Sequence, residues 1–177
     1  TITANNASKI YGEEDPALTA TVTGAAGSDT FNYTVNRVAG NNAGDYVMSV
    51  TVNEADYPNY DLTVVDGTFT VNRREVVVSG IEALDKNYDG KTDAELNFAN
   101  VRIENMLSAD EGKLSVTATG SFETAEIGKG KNVVISNLTL SGDAVNNYVL
   151  AANGQQTTAK ADVSEQTKKA EEGNFVA

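Results

Sequence analysis

Tyr46-Val47-Met48-Ser49-Val50-Thr51-Val52 alternates apolar with small or hydroxyl-bearing side chains, with Met48 and Val50 on one parity and Ser49 and Thr51 on the other. Successive side chains of a strand point to opposite faces, so this period of two predicts a β-strand with one buried face. The same pattern recurs at residues 18–22 (LTATV), 31–35 (FNYTV) and 68–71 (TFTV). Between these runs lie 24–29 (GAAGSD), 40–45 (GNNAGD) and 65–68 (VDGT), rich in residues that adopt positive φ or bond their own backbone. Hairpins and short loops are expected there. After Asn72-Arg73-Arg74 the pattern restarts at 75–78 (EVVV), then at 114–120, 132–135 and 148–150. Residues 100–107 (NVRIENML) read as a strand running into a turn or as a short helix.

The two halves echo one another. Lys9-Ile10-Tyr11-Gly12 answers Lys86-Asn87-Tyr88-Asp89-Gly90, and Gly44-Asp45-Tyr46-Val47-Met48-Ser49 answers Gly130-Lys131-Asn132-Val133-Val134-Ile135-Ser136. Asn59-Tyr60-Asp61-Leu62 answers Asn147-Tyr148-Val149-Leu150. Three matches in the same order indicate tandem modules. The boundaries expected are 1–73 and 74–163, followed by a polar tail at 164–177 that is either solvated or the start of a further repeat. With almost no linker at Asn72 to Arg74, the joint is expected to be stiff. The chain begins on Thr1 rather than Met, as expected of a piece of something longer.

The inventory removes several chemistries. Among 177 residues there is no Cys, His or Trp. Thiol nucleophiles, disulfides, thiolate metal sites, the usual neutral-pH acid/base and the commonest zinc ligand are therefore absent. Ser28 and Ser79 have no histidine partner, and no glycine-rich phosphate loop is present. Glu13-Glu14-Asp15 and Glu171-Glu172 lie in polar stretches, where a raised carboxyl pKa is not expected. No enzyme, catalytic residue or cofactor is read from the sequence. A formal charge of −12 disfavours nucleic acid and anionic lipid as partners. The longest apolar run, 76–81 (VVVSGI), has the length of a core strand and not of a membrane span.

Residues 85–93, DKNYDGKTD, place Asp85, Asn87 and Asp89 at alternating positions before Gly90, as in a calcium loop. The bidentate acid of the twelfth position is missing, since that residue is Leu96, and a strand precedes where a helix should. The segment reads as a turn: Asp89 bonds backbone N–H groups, Gly90 takes positive φ and Tyr88 buries its ring. No metal site is read. Tyr46 after Gly44-Asp45 is expected to be the corner tyrosine of an immunoglobulin-like sandwich. Tyr57-Pro58-Asn59-Tyr60 is the best candidate for an exposed aromatic platform. Lys9 and Lys131 are candidates for an amide crosslink to an Asn or Asp side chain beside an acid.

The runs 2–19 (ITANNASKIYGEEDPALT), 43–47 (AGDYV) and 59–71 (NYDLTVVDGTFTV) resemble the MBG modules of the YGX type. The runs 86–94 (KNYDGKTDA) and 128–150 (GKGKNVVISNLTLSGDAVNNYVL) are similar to the YDG modules that often follow them. Together the resemblance covers about residues 1–163. It implies tandem repeats of large secreted or wall-attached bacterial proteins, commonly adhesins, with no catalytic residues to carry over. The chain is accordingly expected to be all-β: two small antiparallel immunoglobulin-like sandwiches in series, with β-grasp-like modules the alternative if 101–107 or 53–60 is helical. The expected role is a monomeric, non-catalytic stalk at the bacterial cell surface whose partners are neighbouring repeats. The alternative is a module that itself binds a host glycan or glycoprotein.

Overall fold

The computed structural model describes residues 1–166, and the statements below concern those residues; the tail expectation for 167–177 lies outside them. The fold is all-β. Helix among the described residues consists of three single 3₁₀ turns, Glu54–Asp56, Ser108–Asp110 and Val145–Asn147. Residues 101–107 contain the strand Arg102–Glu104 followed by a turn at Asn105, whose φ is 70°. The helix a β-grasp module would need is therefore formed neither there nor at 53–60. By compactness the chain divides into one unit of Thr1–Glu75 with Ala144–Val149, and a second of Val76–Asp143 with Leu150 onward.

The first unit has a sheet in the order Ala7–Ile10, Gly67–Asn72, Gly44–Val52, Tyr33–Arg37. A smaller sheet runs Ala20–Val22, Ile2–Ala4, Val64–Val65. The alternation at 46–52 does what its period demands: Met48 and Val50 are buried, Val47, Ser49 and Thr51 exposed. With Phe69 and Val71 they meet Ile2 and Ala4 of the smaller sheet, so the core lies between two layers. The segment Ala144–Val149 contributes Tyr148, buried edge-on to Tyr11 at 5.5 Å between ring centroids.

The second unit repeats the arrangement. Its larger sheet runs Lys86–Asn87, Thr158–Ser164, Gly128–Ser141, Ser115–Phe122, Asp93–Ala94. In its smaller sheet Arg74–Ser79 pairs antiparallel with Arg102–Glu104, and Glu82–Ala83 pairs with Leu96–Asn97 in a separate two-stranded ladder. The buried residues are Val78, Ile81, Val116 and Ile135 in one cluster and Phe122, Val133, Ala161 and Val163 in another.

The larger sheets are mainly antiparallel, as expected, but each departs from that at the same place. Ala7–Ile10 pairs in parallel with Gly67–Asn72, and Lys86–Asn87 pairs in parallel with Val163 and Ser164. A parallel pair needs a long crossover connection. Here nearly a whole module is that crossover, because an early strand lies beside the last one. What stands is an all-β, sandwich-type module; the finer immunoglobulin-like expectation is not established by this strand order.

The repeat is also offset from its sequence echo. Tyr46 lies opposite Phe69 and Met48 opposite Gly67, whereas Lys131 lies opposite Ala161 and Val133 opposite Ala159. Since Lys9 faces Val71 and Lys86 faces Val163, Met48 corresponds to Val133 and Tyr46 to Lys131. A register shift between Gly128 and Lys131 absorbs the extra residue, as a β-bulge does.

Candidate functional site

Two short turns, each following a lysine-bearing strand, are the most distinctive local features of the sequence. In the second module the chain leaves Lys86–Asn87 and reverses through Tyr88-Asp89-Gly90. Asp89 Oδ1 accepts the Lys91 N–H at 2.9 Å and the Lys86 ammonium at 3.0 Å, and Lys86 also donates to the Lys91 carbonyl at 2.8 Å. Gly90 takes φ 74°, which a side chain would make strained. The Lys86 ammonium first, then the Lys91 N–H, hold the Asp89 carboxyl below the usual carboxylate range. Asp85 works elsewhere: its Oδ1 accepts the Asp162 N–H at 2.7 Å. Asp93 sits on a strand opposite Ser121. Among the described residues no group of three or more acidic side chains is placed to hold an ion. Tyr88 departs from expectation, being 41% exposed. The turn uses its backbone and not its ring, through an N–H bond to the Ser164 carbonyl at 2.8 Å.

The first module closes in the same way, with the Tyr11 N–H on the Asn72 carbonyl at 2.8 Å and Gly12 at φ 89°. Here the preceding lysine enters an ion cluster. Lys9 Nζ lies 2.8 Å from Asp15 Oδ1, and Arg37 reaches the same carboxylate through Nε at 2.6 Å and its terminal nitrogen at 2.9 Å. The other terminal nitrogen of Arg37 donates to the carbonyls of Val38 and Gly40, both at 2.9 Å. The guanidinium carbon sits 4.5 Å from the Phe69 ring centroid and 5.2 Å from that of Tyr46. Nearly all of the Arg37 and Lys9 side chains is shielded, at 9% and 7% exposure. Arg37 first and Lys9 second hold the Asp15 carboxyl far below its ordinary range. So the one member of Glu13-Glu14-Asp15 that is drawn into a structured cluster is fixed as a carboxylate, the opposite of a general acid.

Tyr46 does send its hydroxyl back to a backbone carbonyl, that of Asn42, at 2.7 Å, as a corner tyrosine would. Its ring is half-buried rather than buried. Gly40 leaves the room it occupies, since a Cβ there would meet the ring at 2.2 Å.

The aromatic platform expected at 57–60 is turned inward. Tyr57 and Tyr60 both pack on Phe31, at 4.8 and 4.9 Å between centroids. The Tyr57 hydroxyl accepts the Asn32 N–H at 2.6 Å. The Tyr60 hydroxyl donates to Asp29 Oδ2 at 2.5 Å and accepts the Ala26 N–H at 2.9 Å. The Asp29 carboxylate raises the Tyr60 pKa above the usual phenol value. Two rings and two hydroxyls thus clasp the loop at 26–32, leaving no flat pair of faces for a sugar to stack on.

Neither crosslink candidate meets the partners that chemistry needs. Lys9 faces an ionised carboxylate, and an amide would require a neutral amine and a protonated acid. Lys131 donates to the carbonyls of Thr124, at 2.8 Å, and of Glu126. The structure does assemble a Lys, an Asn and an acid elsewhere. Lys160 Nζ is 2.7 Å from Asn132 Oδ1, and Asn132 Nδ2 is 3.4 Å from Glu123. All three are exposed on the outer face of the sheet, outside the core in which such a crosslink is expected.

Residues that sequence reasoning passed over do much of the holding. Arg37 was hidden because its partner is 22 positions away. Gln155 accepts the Val78 N–H at 2.7 Å and donates to the Val76 carbonyl at 2.9 Å. Gln156 accepts the Ile81 N–H at 2.8 Å and donates to the Ile81 carbonyl at 2.7 Å. These amides stand in for strand residues, and no local pattern announces them. A groove of about 620 Å³ in the second module is lined by Phe98, Val101, Ile103, Met106, Leu114 and Val116, with Arg102 and Glu111 among its charged neighbours.

A repeated turn that staples an early strand to the last one, in two all-β units of like topology, defines a class of tandem structural module. The chain belongs to the YDG domain family, matched over residues 72–168, and ahead of it the MBG domain (YGX type) is matched over residues 1–70. The two families occur in the order expected from the sequence. No curated protein and no solved structure matches the chain.

Proposed function

We propose that the chain is a force-bearing, non-catalytic spacer segment of a bacterial cell-surface protein. The observation that carries this reading is the parallel pairing of an early strand with the last strand in both larger sheets. Pull a module by its two ends and such strands move in opposite directions along their length. Their hydrogen bonds, lying across the strands, are then loaded together in shear instead of opening one after another. The Tyr11 and Tyr88 N–H bonds to Asn72 and Ser164 extend the same staple. Consumption of Tyr57 and Tyr60 inside the first module also argues for spacing over direct glycan binding. The surface location rests on the families.

Single-molecule pulling on the intact chain tests the role. Each module is expected to resist and then yield in one abrupt step. Gradual extension at low force, as from unzipping, would overturn the reading. Specific binding to an immobilised glycan or glycoprotein, lost in Tyr57→Ala, would favour the adhesin alternative.

A further inference from the structure

We propose that Asn153-Gly154 is a site of spontaneous deamidation, a slow modification written into the second module. It is the only Asn-Gly pair in the chain. The flanking Gln155 and Gln156 side chains fasten the segment to the backbone of Val76, Val78 and Ile81, and the tip before them is left outside this network. Among the described residues neither the Asn153 side chain nor the Gly154 N–H has a hydrogen-bond partner, and both residues are exposed. Gly154 has φ 89°, and the nearest atoms to a Cβ built there are Val77 methyls at 3.8 Å. The attacking nitrogen therefore has neither a side chain shielding it nor a bond holding it back.

The reaction needs only water. The Gly154 nitrogen attacks Asn153 Cγ; the N–Cγ bond forms, the Cγ–Nδ2 bond breaks, and ammonia leaves with the amide proton. Water then opens the cyclic imide at one carbonyl or the other, giving aspartate or isoaspartate. Either product adds a negative charge to a chain already at −12. Isoaspartate also inserts a methylene into the backbone.

The two Asp-Gly pairs could close the same ring but are held. Asp89 accepts the Lys91 N–H and is kept ionised, which makes its carbon a poor electrophile. Gly67 opens a paired strand, where a Cβ would come 2.7 Å from the Ala4 carbonyl. Backbone fixed in this way cannot swing into the ring-closing geometry. The Asn153 tip has no equivalent restraint.

Peptide mapping by mass, with isoaspartate resolved from aspartate, tests this on the intact chain aged in mildly alkaline buffer, folded and in urea. Conversion at Asn153 in the folded protein is expected to be at least about tenfold faster than at Asn42 or Asn59, a barrier lower by roughly 1.4 kcal/mol. It should run at nearly the same rate in urea, because the fold does not protect the tip. Asn153→Gln should lose the product while leaving the melting temperature in place. A folded-state rate no faster than at those other asparagines, or one strongly suppressed relative to urea, would overturn the proposal.

Discussion

Arg37 shows how much one side chain can organise. It spans two aromatic rings, two loop carbonyls and a carboxylate, and lysine could supply the charge but neither the fork nor the flat face. The Asp15 carboxyl that it grips has a folded pKa far below the unfolded value of about 3.9. Its contribution to stability is fully present above that unfolded value and is lost as pH falls through the folded one. Thermal melts of the first module are therefore expected to weaken below about pH 4, and Asp15→Asn should flatten that dependence; an unchanged acid limb would show that other carboxylates dominate. The neighbouring aromatics are expected to rank by burial. Phe69, with no exposed surface, should cost about 3–5 kcal/mol when cut to alanine. Half-buried Tyr46 should cost less, roughly 1–3 kcal/mol by the same reasoning, and Tyr46→Phe only about 1 kcal/mol for its hydroxyl bond. Denaturant midpoints of the three variants give the order directly, and a Tyr46→Ala loss equal to that of Phe69→Ala would mean the ring is wholly in the core.

At the level of elements, the YDG turn is expected to work as a fold-closing device rather than an ion site. Asp89 spends Oδ1 on Lys86 and Lys91, and Asp85 spends Oδ1 on a strand N–H. Millimolar calcium should leave the melting of the second module where it was, whereas a site of roughly 0.1 mM affinity would add more than about 1 kcal/mol. A calcium-dependent rise abolished by Asp85→Ala and by Asp89→Ala would reverse this reading. The strands themselves were legible where one face is buried. Residues 46–52, 68–71 and 148–150 lie within or on Gly44–Val52, Gly67–Asn72 and Tyr148–Leu150. Residues 132–135 proved to be the middle of the much longer Gly128–Ser141, in which Gly130 and Asn137 flank that run at positive φ. Those kinks break the period of two, and with it the signal. Ala7–Ile10, Lys86–Asn87 and Val64–Val65 went unread because edge strands bury little and so alternate weakly.

For the whole molecule, the two staples differ in length. Four residue pairs join Ala7–Ile10 to the last strand of the first module, against two pairs for Lys86–Asn87 in the second. Shear resistance grows with the number of bonds loaded together, so the second module is expected to yield first. The two events can be told apart by released length, about 240 Å for the shorter module and about 330 Å for the longer at full extension. The reverse order would place the resistance in a different pair of strands.

By itself the sequence determined the all-β class, the doubling into MBG-like and YDG-like modules and the absence of thiol and imidazole chemistry, because period, internal echo and inventory are local properties of the chain. Only the tertiary structure decided that the larger sheets contain parallel pairs, that Lys131 takes the place of Tyr46, and that Tyr57 and Tyr60 turn inward. Each depends on which distant strand or loop supplies the missing hydrogen bond. The bulge between Gly128 and Lys131 is likewise defined only by the partner strand around Ala161 to Val163, about 30 residues further along the chain, so the alternation of the strand alone does not give its pairing.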